Sequence, residues 1–227
     1  MYALLPMKEH SERVPDKNFR VLHNKPFFYF IADTLKATGL FTNLVINTDS
    51  QKISELAKER YGEWAVIIDR PQALRGDHVP MNAVIAYDIS VMGKENDFMQ
   101  THSTNPFLSA NTILSAATLY DEGKKSNSFD SLFAVNAIKT RLYNKDLNPV
   151  NHNPAILGRT QDLDVIYEEN SNFYFFSGNS FLKQNHRIGQ HPQVYAMNRS
   201  SIESLDVDDL ADWKFAETLL KAGVVGL

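Results

Sequence analysis

The chain has 227 residues, of which 43% are hydrophobic and 22% are charged, a composition that supports a buried core and excludes a disordered protein. The formal net charge of −4 argues against a surface built to bind nucleic acid or anionic membranes. Because there are no cysteines, disulfides, thiolate catalysis and zinc–thiolate sites are excluded. The start lacks the basic region of a secretory signal, and no apolar run reaches the ~18 residues of a membrane span. We therefore expect a cytoplasmic protein with no nucleic-acid or membrane partner.

Short apolar runs typical of strands alternate with helical patterns along most of the chain. The sequence predicts strands over residues 2–5, 44–46, 65–68, 97–100, 131–135 and 172–176. It predicts helices over residues 27–37, 51–61, 82–91, 111–120 and about 210–222. This alternation favours an α/β fold with a mostly parallel sheet flanked by helices. We expect one domain over residues 1–227.

A polar stretch interrupts this pattern between residues 139 and 158. It contains four asparagines and two prolines. Long connections of this kind in compact domains usually serve a function. We expect residues from about 139 to 170 to form a flap over a site or an arm that packs on a second subunit.

The loop after the first strand, residues 5–20, concentrates positive charge and is called the basic loop below. Four cations fall within thirteen residues of an otherwise acidic chain: Lys8, Arg13, Lys17 and Arg20. Ligands of open α/β sheets bind at the carboxyl ends of strands, where this loop begins. The glycine-rich patterns GxxxxGK[ST] and GxGxxG are both absent from the sequence, so any phosphate site must be built differently. The basic loop is either a phosphate-binding loop or a solvated charged turn.

Two aspartates near the end of the sequence have a spacing that suits a metal ion. Asp206 and Asp208 are two residues apart, so on an extended segment their carboxylates point to the same side. Mg²⁺ commonly takes one or two carboxylates together with substrate phosphates. Asp209 is expected to cap the helix that follows. The rival candidate with the same spacing is Asp162 and Asp164.

Further polar clusters follow predicted strands or border the polar stretch. Gln100 begins a run of hydrogen-bonding side chains that could bind the hydroxyl groups of a polar ligand. An ordinary turn at the end of a strand fits the same run equally well. Arg70 and Asp77 follow the third predicted strand. Arg159 and Gln161 border the polar stretch.

Together these segments resemble the acylneuraminate cytidylyltransferase family, which makes CMP-sialic acid and related CMP-nonulosonates. The family pattern I-P-A-R-x-x-S-x-x-x-P-x-K-N is similar to residues 5–18, in which Ser11, Pro15, Lys17 and Asn18 match. Its S-T-D, R-P-x-x-L-x-x-D and Q-P-T-S-P-L segments resemble residues 47–49, 70–77 and 100–107. Its R-x-Q, N-G-A-x-Y and D-I-D-x-x-x-D-x-x-x-A-E segments resemble residues 159–161, 172–174 and 206–217.

The resemblance implies a Rossmann-like nucleotidyltransferase fold with a small dimerisation extension, and a homodimer. It implies a Mg²⁺-dependent reaction in which CTP and a nine-carbon α-keto acid sugar give the CMP-sugar and pyrophosphate. The residues that it assigns to catalysis are Lys8, Lys17 and Asp208. Those that it assigns to Mg²⁺ are Asp206 and Asp208. Those that it assigns to the nucleotide are Lys8, Ser11, Lys17, Asn18, Arg70 and Asp77. Those that it assigns to the acid sugar are Gln100, Arg159, Gln161 and Tyr174.

The sequence departs from the family pattern at a few positions. Lys8 replaces an arginine, which keeps the charge and loses the bidentate geometry for phosphate. Glu9 and His10 replace glycines, and Phe173 replaces a small residue after Asn172. These changes leave nucleotidyl transfer as the prediction and leave the identity of the sugar open.

Two other functions fit the same sequence features. A nucleotide-sugar glycosyltransferase also places an Asp-x-Asp pair on an α/β sheet, usually in the middle of the chain, and it releases no pyrophosphate. A catalytically inactive module that binds CTP is the second alternative.

Overall fold

The computed structural model describes residues 1–224, which form nine strands and six α-helices. The strands are β1 (Tyr2–Leu4), β2 (Val21–Leu22), β3 (Lys25–Pro26), β4 (Leu44–Thr48), β5 (Ala65–Asp69), β6 (Asp97–Thr101), β7 (Ser131–Ile138), β8 (Ile166–Ser177) and β9 (Pro192–Asn198). The helices are α1 (Tyr29–Ala37), α2 (Gln51–Tyr61), α3 (Met81–Met92), α4 (Ala110–Ser126), α5 (Gly178–Gln184) and α6 (Leu210–Lys221). No helix within these residues is both long and apolar enough to cross a bilayer.

Seven strands form one sheet in the order β5-β4-β1-β6-β8-β7-β9, and β2 and β3 form a separate hairpin. Neighbouring strands of the sheet pair in parallel except at β8, which runs antiparallel to both β6 and β7. The predicted α/β fold with a mostly parallel sheet is therefore confirmed. Because β5, β4, β1 and β6 run the same way, their carboxyl ends meet at one edge, and the basic loop leaves the sheet there.

Helices cover both faces of the sheet, and neighbouring residues of a strand serve opposite faces. Leu44 packs with Leu35 of α1 and Ile53 of α2 on one face. The next residue, Val45, packs with Ile85 of α3 on the other face. All five residues of β4 are buried, which explains why this strand appears in the sequence as a continuous apolar run before its polar end.

The last helix holds the end of the chain against the basic loop. α6 begins behind Asp209, whose carboxylate accepts hydrogen bonds from the backbone N–H of Ala211 at 2.7 Å and of Asp212 at 3.0 Å. The predicted role of Asp209 as a helix cap is thus confirmed. Trp213 of α6 packs on Phe27 with ring centroids 5.0 Å apart. These contacts fix the segment just before α6.

The second half of the sheet contains elements that the sequence patterns do not predict. α5 and β9 were not expected, and β8 starts at Ile166, well before the predicted residue 172. Within β9 only Met197 is buried, because β9 is an edge strand beside β7. A mostly exposed strand has no apolar alternation to reveal it.

Residues 139–165, called the arm below, connect β7 to β8. Their regular structure is limited to one isolated bridge between Tyr143 and Pro149 and one turn of 3₁₀ helix, Thr160–Asp162. Leu147 and Leu157 are 79% and 90% exposed. Residues 166–170, the last part of the predicted flap or dimerisation arm, lie in β8.

Candidate active site

A polar cavity of about 220 Å³ lies at the carboxyl ends of β1 and β6. Its walls come from the basic loop and from residues 102–104, which follow β6. Four of the six side chains predicted to bind the nucleotide line it: Lys8, Ser11, Lys17 and Asn18. The fold therefore gathers most of the predicted nucleotide residues at one place, and we call this space the nucleotide cavity.

Lys17 joins the nucleotide cavity to the end of the chain. The side chain is only 9% exposed, and its Nζ donates to the carbonyl oxygen of Val207 at 3.0 Å. Nζ also lies 3.5 Å from Oδ1 of Asp208. Arg13 contacts Oδ2 of the same carboxylate at 3.0 Å. Two cations thus converge on Asp208, which brings two of the predicted catalytic residues, Lys17 and Asp208, into contact.

Asp206 lies on the same segment in a more enclosed position. The segment is fixed because the N–H of Val207 donates to the carbonyl oxygen of Thr104 at 2.8 Å. Burial raises the pKa of Asp206, and the nearby charge of Asp208 raises it further, whereas a hydrogen bond from Thr104 lowers it. Oδ1 of Asp206 is buried and has no hydrogen-bond partner within residues 1–224.

Asn18 is used to hold the wall of the nucleotide cavity together. Its Nδ2 donates to the carbonyl oxygen of Lys8 at 2.8 Å. Its Oδ1 accepts from the hydroxyl of Ser103 at 2.6 Å. One amide therefore ties the start of the basic loop to the exit of β6, so its main contacts are within the protein.

Lys8 and Asp77, both predicted to bind the nucleotide, form an ion pair across the mouth of the site. The ammonium of Lys8 holds the pKa of Asp77 below its ordinary value, through the hydrogen bond first and the charge second. Both side chains are 41% or more exposed, so the pair is open to solvent and to an incoming ligand.

Arg70 lies under the basic loop and is only 6% exposed. Its Nε donates to Oδ1 of Asn47 at 2.8 Å, and its Nη2 donates to the carbonyl oxygens of Asn47 at 2.7 Å and Met7 at 3.1 Å. Burial lowers the pKa of Arg70, and the charges of Asp49 and Asp88 oppose that shift. The guanidinium therefore fastens the ends of β1 and β4 to each other.

Asp88 completes this buried network from α3. Asn47 Nδ2 donates to its Oδ1 at 2.6 Å, and the side chain is fully buried. Burial raises the pKa of Asp88 to about 7, against the lowering effects of Asn47 and Arg70. The buried network of Arg70 and Asn47 thus contains a carboxyl group whose pKa is near neutral pH.

Gln100, a predicted sugar residue, is fully buried at the end of β6. Its Nε2 donates to Nε2 of His102 at 3.0 Å. Burial lowers the pKa of His102 to about 3, and the charges of Arg187 and Lys17 lower it further, so the imidazole is neutral. Since Nε2 of His102 accepts, the remaining ring proton lies on Nδ1.

Arg187 is the principal residue of this region that the sequence patterns do not predict. Its Nη1 donates to Oε1 of Gln100 at 2.5 Å, and its guanidinium carbon lies 3.5 Å from the ring centroid of Tyr174. Tyr174, a predicted sugar residue, in turn donates its hydroxyl to Glu169. Arg187 follows α5 in a stretch that matches no motif, so no signal in the sequence identified it. The structure places it between two predicted sugar residues.

Arg159 and Gln161 lie in the arm, apart from the nucleotide cavity. Arg159 forms a bidentate pair with Asp162, with Nε and Nη2 at 2.8 Å and 2.9 Å from its oxygens. The carbonyl oxygen of Gln161 accepts from Lys139 at 3.1 Å. Within residues 1–224, these two predicted sugar residues contact only other arm residues through their polar groups. Their assignment to the acid sugar stays a prediction.

A larger cavity of about 410 Å³ lies elsewhere, between α1, the start of α4 and the end of α6. Its lining is mainly apolar, and its charged residues Lys25 and Asp33 already pair at 3.0 Å. No residue predicted to act in the site lines it within the described part of the chain. The nucleotide cavity is therefore the candidate site.

Comparison with known proteins identifies the family of the chain. The sequence matches the family described as Cytidylyltransferase over residues 2–225. The chain belongs to the cytidylyltransferase family. This result confirms the resemblance drawn from the motifs, and with it the prediction of a nucleotidyl-transferring enzyme.

Named relatives of this cytidylyltransferase are distant and cover nearly all of it. It is 24% identical over 225 residues to the pseudaminic acid cytidylyltransferase of Campylobacter jejuni, covering 96% of this chain and 95% of that protein. It is 24% identical over 226 residues to the N-acylneuraminate cytidylyltransferase of Escherichia coli, covering 96% of this chain and 51% of that protein.

A solved structure confirms the fold of the cytidylyltransferase. CMP:2-keto-3-deoxy-manno-octonic acid synthetase, solved in complex with CTP, matches with a TM-score of 0.66 and 11% identity, over 97% of this chain and 98% of that chain. The predicted Rossmann-like nucleotidyltransferase fold is therefore confirmed.

Proposed function

We propose that this cytidylyltransferase transfers CMP from CTP to the anomeric hydroxyl of a nonulosonic acid. The hydroxyl oxygen forms a bond to the α-phosphorus while the bond from that phosphorus to the bridging oxygen of pyrophosphate breaks. The hydroxyl proton passes to solvent, and pyrophosphate leaves. The family match and the names of the two relatives support the reaction and the class of sugar. Since CTP is a metabolite of the cytoplasm, the proposed enzyme acts there.

The observation that carries the proposal is the convergence of Lys17 and Arg13 on Asp208 beside the nucleotide cavity. A triphosphate brings several negative charges, and a wall with fixed cations offsets them without further reorganisation. Lys17 is well suited to this role because the carbonyl of Val207 already holds its ammonium in place. Lys8 and Ser11 line the same cavity and are proposed to contact the phosphates. Asn18 is proposed to shape the loop that presents them.

Mg²⁺ is the proposed cofactor, held by Asp206 and Asp208. The buried, unpartnered Oδ1 of Asp206 fits this role, because a cation would satisfy it. Within residues 1–224, no group of three or more His, Cys, Asp or Glu side chains is arranged to hold a metal by itself. The two aspartates would therefore share the ion with phosphate oxygens, which is the usual arrangement for Mg²⁺. When bound, the ion would neutralise charge on the phosphates.

The base of CTP is proposed to lie near Arg70 and Asp77. Nη1 of Arg70 is the one guanidinium nitrogen that donates to no protein acceptor within the described residues. It is therefore available to the acceptors at O2 and N3 of cytosine. The other two nitrogens keep the guanidinium in a fixed plane, which is what discrimination between bases requires.

The acid sugar is proposed to lie beside Gln100 and Tyr174, with Arg159 and Gln161 contributed by the arm. The proposed partner of the arm is a second copy of the chain. Its exposed apolar side chains, such as Leu147 and Leu157, support this because they gain burial only by packing on another surface. Light scattering should then give about twice 25.8 kDa, and a fully active monomer would contradict the homodimer.

The test of the proposed function is a screen for pyrophosphate release. CTP is incubated with Mg²⁺ and each of N-acetylneuraminic, pseudaminic, legionaminic and 2-keto-3-deoxy-manno-octonic acid, and the same set is repeated with ATP. Release with CTP and at least one nine-carbon acid is expected, with far less release for ATP.

Other outcomes of the screen would each point to another function. Binding of CTP without release for any acid would favour an inactive nucleotide-binding module. Sugar transfer from a ready-made nucleotide sugar, again without pyrophosphate, would favour a glycosyltransferase. Release with the eight-carbon acid alone would overturn the proposed class of sugar.

A further inference from the structure

Arg187 occupies a position that the proposed function leaves unused. Besides Gln100, its Nη1 lies 3.4 Å from Nε2 of His102, and its Nη2 lies 3.5 Å from Oε1 of Glu169. Its guanidinium stacks on the ring of Tyr174. The side chain is 14% exposed, so one part of it is reachable from outside while most of it is enclosed.

The charge of Arg187 is poorly compensated by the protein. Glu169 is the only carboxylate within ion-pair distance of it in residues 1–224, and the contact is long. That carboxylate is itself 44% exposed and accepts the hydroxyl of Tyr174 as well. Burial accordingly lowers the pKa of Arg187 more than Tyr174 and Glu169 raise it. A cation enclosed in this way is stabilised by an anion from outside.

The location of Arg187 connects two spaces. His102, which it contacts, lines the nucleotide cavity. Glu169 lines a second cavity of about 350 Å³, whose wall is made of polar side chains and includes Asp206. Since Thr104 of the nucleotide cavity hydrogen-bonds to Asp206, the two cavities share a wall. A polar cavity of this size, next to the nucleotide cavity, suits a ligand rich in hydroxyl groups.

We propose that Arg187 binds the carboxylate of the acid sugar and thereby determines that the substrate must be an acid. The inference rests on the proposed function, because it assumes an acid sugar as the acceptor. In such a sugar, the anomeric carbon carries both the carboxylate and the attacking hydroxyl. An arginine that anchors the carboxylate therefore also fixes the direction of that hydroxyl toward the nucleotide cavity.

The neighbours of Arg187 give it the geometry that this role requires. Tyr174 restricts the plane of the guanidinium by stacking, and Gln100 restricts its rotation by accepting from Nη1. A planar, oriented guanidinium is suited to a carboxylate. The carboxylate of the sugar would take the place of the long contact with Glu169. Arg159, by contrast, already has a bidentate carboxylate partner in Asp162.

The experiment compares an acid with its methyl ester. The acid that turns over best in the pyrophosphate screen and its C1 methyl ester are assayed with wild type, Arg187→Gln, Arg187→Lys and Lys183→Gln. For Arg187→Gln, we expect kcat/KM for the acid to fall about ten- to a hundredfold, with KM for CTP and kcat/KM for the ester nearly unchanged. Arg187→Lys should keep part of the preference for the acid, because it keeps the charge. Lys183→Gln on α5, with the same loss of charge, should behave as wild type.

The outcomes separate this inference from the function on which it rests. If Arg187→Gln lowers kcat/KM for the acid and for the ester equally, or keeps the full preference for the acid, the inference is overturned and the proposed function stays intact. If the wild-type enzyme releases pyrophosphate with none of the acid sugars tested, the proposed function is overturned, and the inference falls with it. Thermal melting checks that the variants fold. If Arg187→Gln does not fold, the Arg187→Lys enzyme provides the test. The inference is overturned if Arg187→Lys has the same preference for the acid over the ester, and the same kcat/KM for the acid, as wild type.

Discussion

The cytidylyltransferase contains two Asp-x-Asp segments with identical spacing and very different surroundings. In the segment 206–208, the middle residue Val207 is fully buried and hydrogen-bonded through its backbone to Thr104 and Lys17. In the segment 162–164, Asp162 is 56% exposed and pairs with a residue of the arm. The spacing of the carboxylates is therefore not what separates a candidate metal site from a surface turn. The difference lies in how rigidly the backbone between them is held.

The largest expected effect tests this contrast directly. Asp206→Asn and Asp208→Asn should each lower kcat by at least about 100-fold, the size seen when one group that stabilises transition-state charge is removed. Asp162→Asn should remain close to wild type. Because burial raises the pKa of Asp206, the folded state disfavours its charge, and Asp206→Asn should raise the melting temperature while it lowers kcat.

Steady-state pyrophosphate release and thermal melting measure these effects. Strong loss of activity at Asp162 with normal activity at both Asp206 and Asp208 would mean that the rigid segment is the wrong one.

The next effect concerns the cation that anchors the rigid segment. Lys17→Ala should weaken the binding of CTP and of ATP alike, by about ten- to a hundredfold, since a charge-assisted contact with phosphate contributes ~1.5–3 kcal/mol. Lys145→Ala in the arm removes the same charge and should change neither affinity. Isothermal titration of both nucleotides against the two variants gives the answer. A Lys17→Ala protein that binds CTP as wild type does would remove the phosphate-loop assignment.

A smaller effect is expected at Arg70, beneath the basic loop. Arg70→Ala removes the donor to the carbonyl oxygen of Met7 and the donor to Oδ1 of Asn47, which should lower the free energy of unfolding by about 1–3 kcal/mol. It should also weaken the binding of CTP more than that of ATP, because Nη1 of the wild-type arginine is proposed to face the base. Urea unfolding and titration of both nucleotides separate the two contributions. Equal losses for CTP and ATP would reduce Arg70 to its structural role.

The smallest effect is a pH dependence of stability due to Asp88. The unfolded carboxyl titrates near 3.8 and the folded one at about 7, so the folded state binds more protons between these values. Stability should therefore fall as pH rises through this window, by at least about 1 kcal/mol. Asp88→Asn should flatten the dependence, since the amide still accepts from Asn47. Urea unfolding of both proteins at pH 5 and pH 8 tests this, and parallel curves would refute it.

Local sequence patterns predict the first half of the sheet well and the second half poorly. β4, β5, β6 and α2 carry dense apolar periodicity because they lie in the core, and α2 has the predicted bounds Gln51–Tyr61. α5 is short and β9 is an exposed edge strand, so neither has a periodic pattern to detect. The sequence shows where buried elements lie, and it says little about elements that stay near solvent.

The candidate site divides along a similar line. The basic loop and the Asp206–Asp208 segment were found because their charges are clustered in the sequence. Their contact was not predictable from spacing, since Lys17 and Val207 are 190 residues apart. The sequence does not predict a role for Arg187, because a lone arginine carries no motif. Its stacking on Tyr174 and its contact with Gln100 place it beside two predicted sugar residues.

The attachment of residues 206–208 to the exit of β6 makes the candidate site depend on two distant parts of the sequence. All seven strands of the large sheet lie before residue 199, whereas the carbonyl of Val207 and the carboxylate of Asp208, which hold Lys17, come after them. A variant truncated before residue 206 would therefore retain the sequence of every strand of the sheet and lose both carboxylates of the proposed magnesium site.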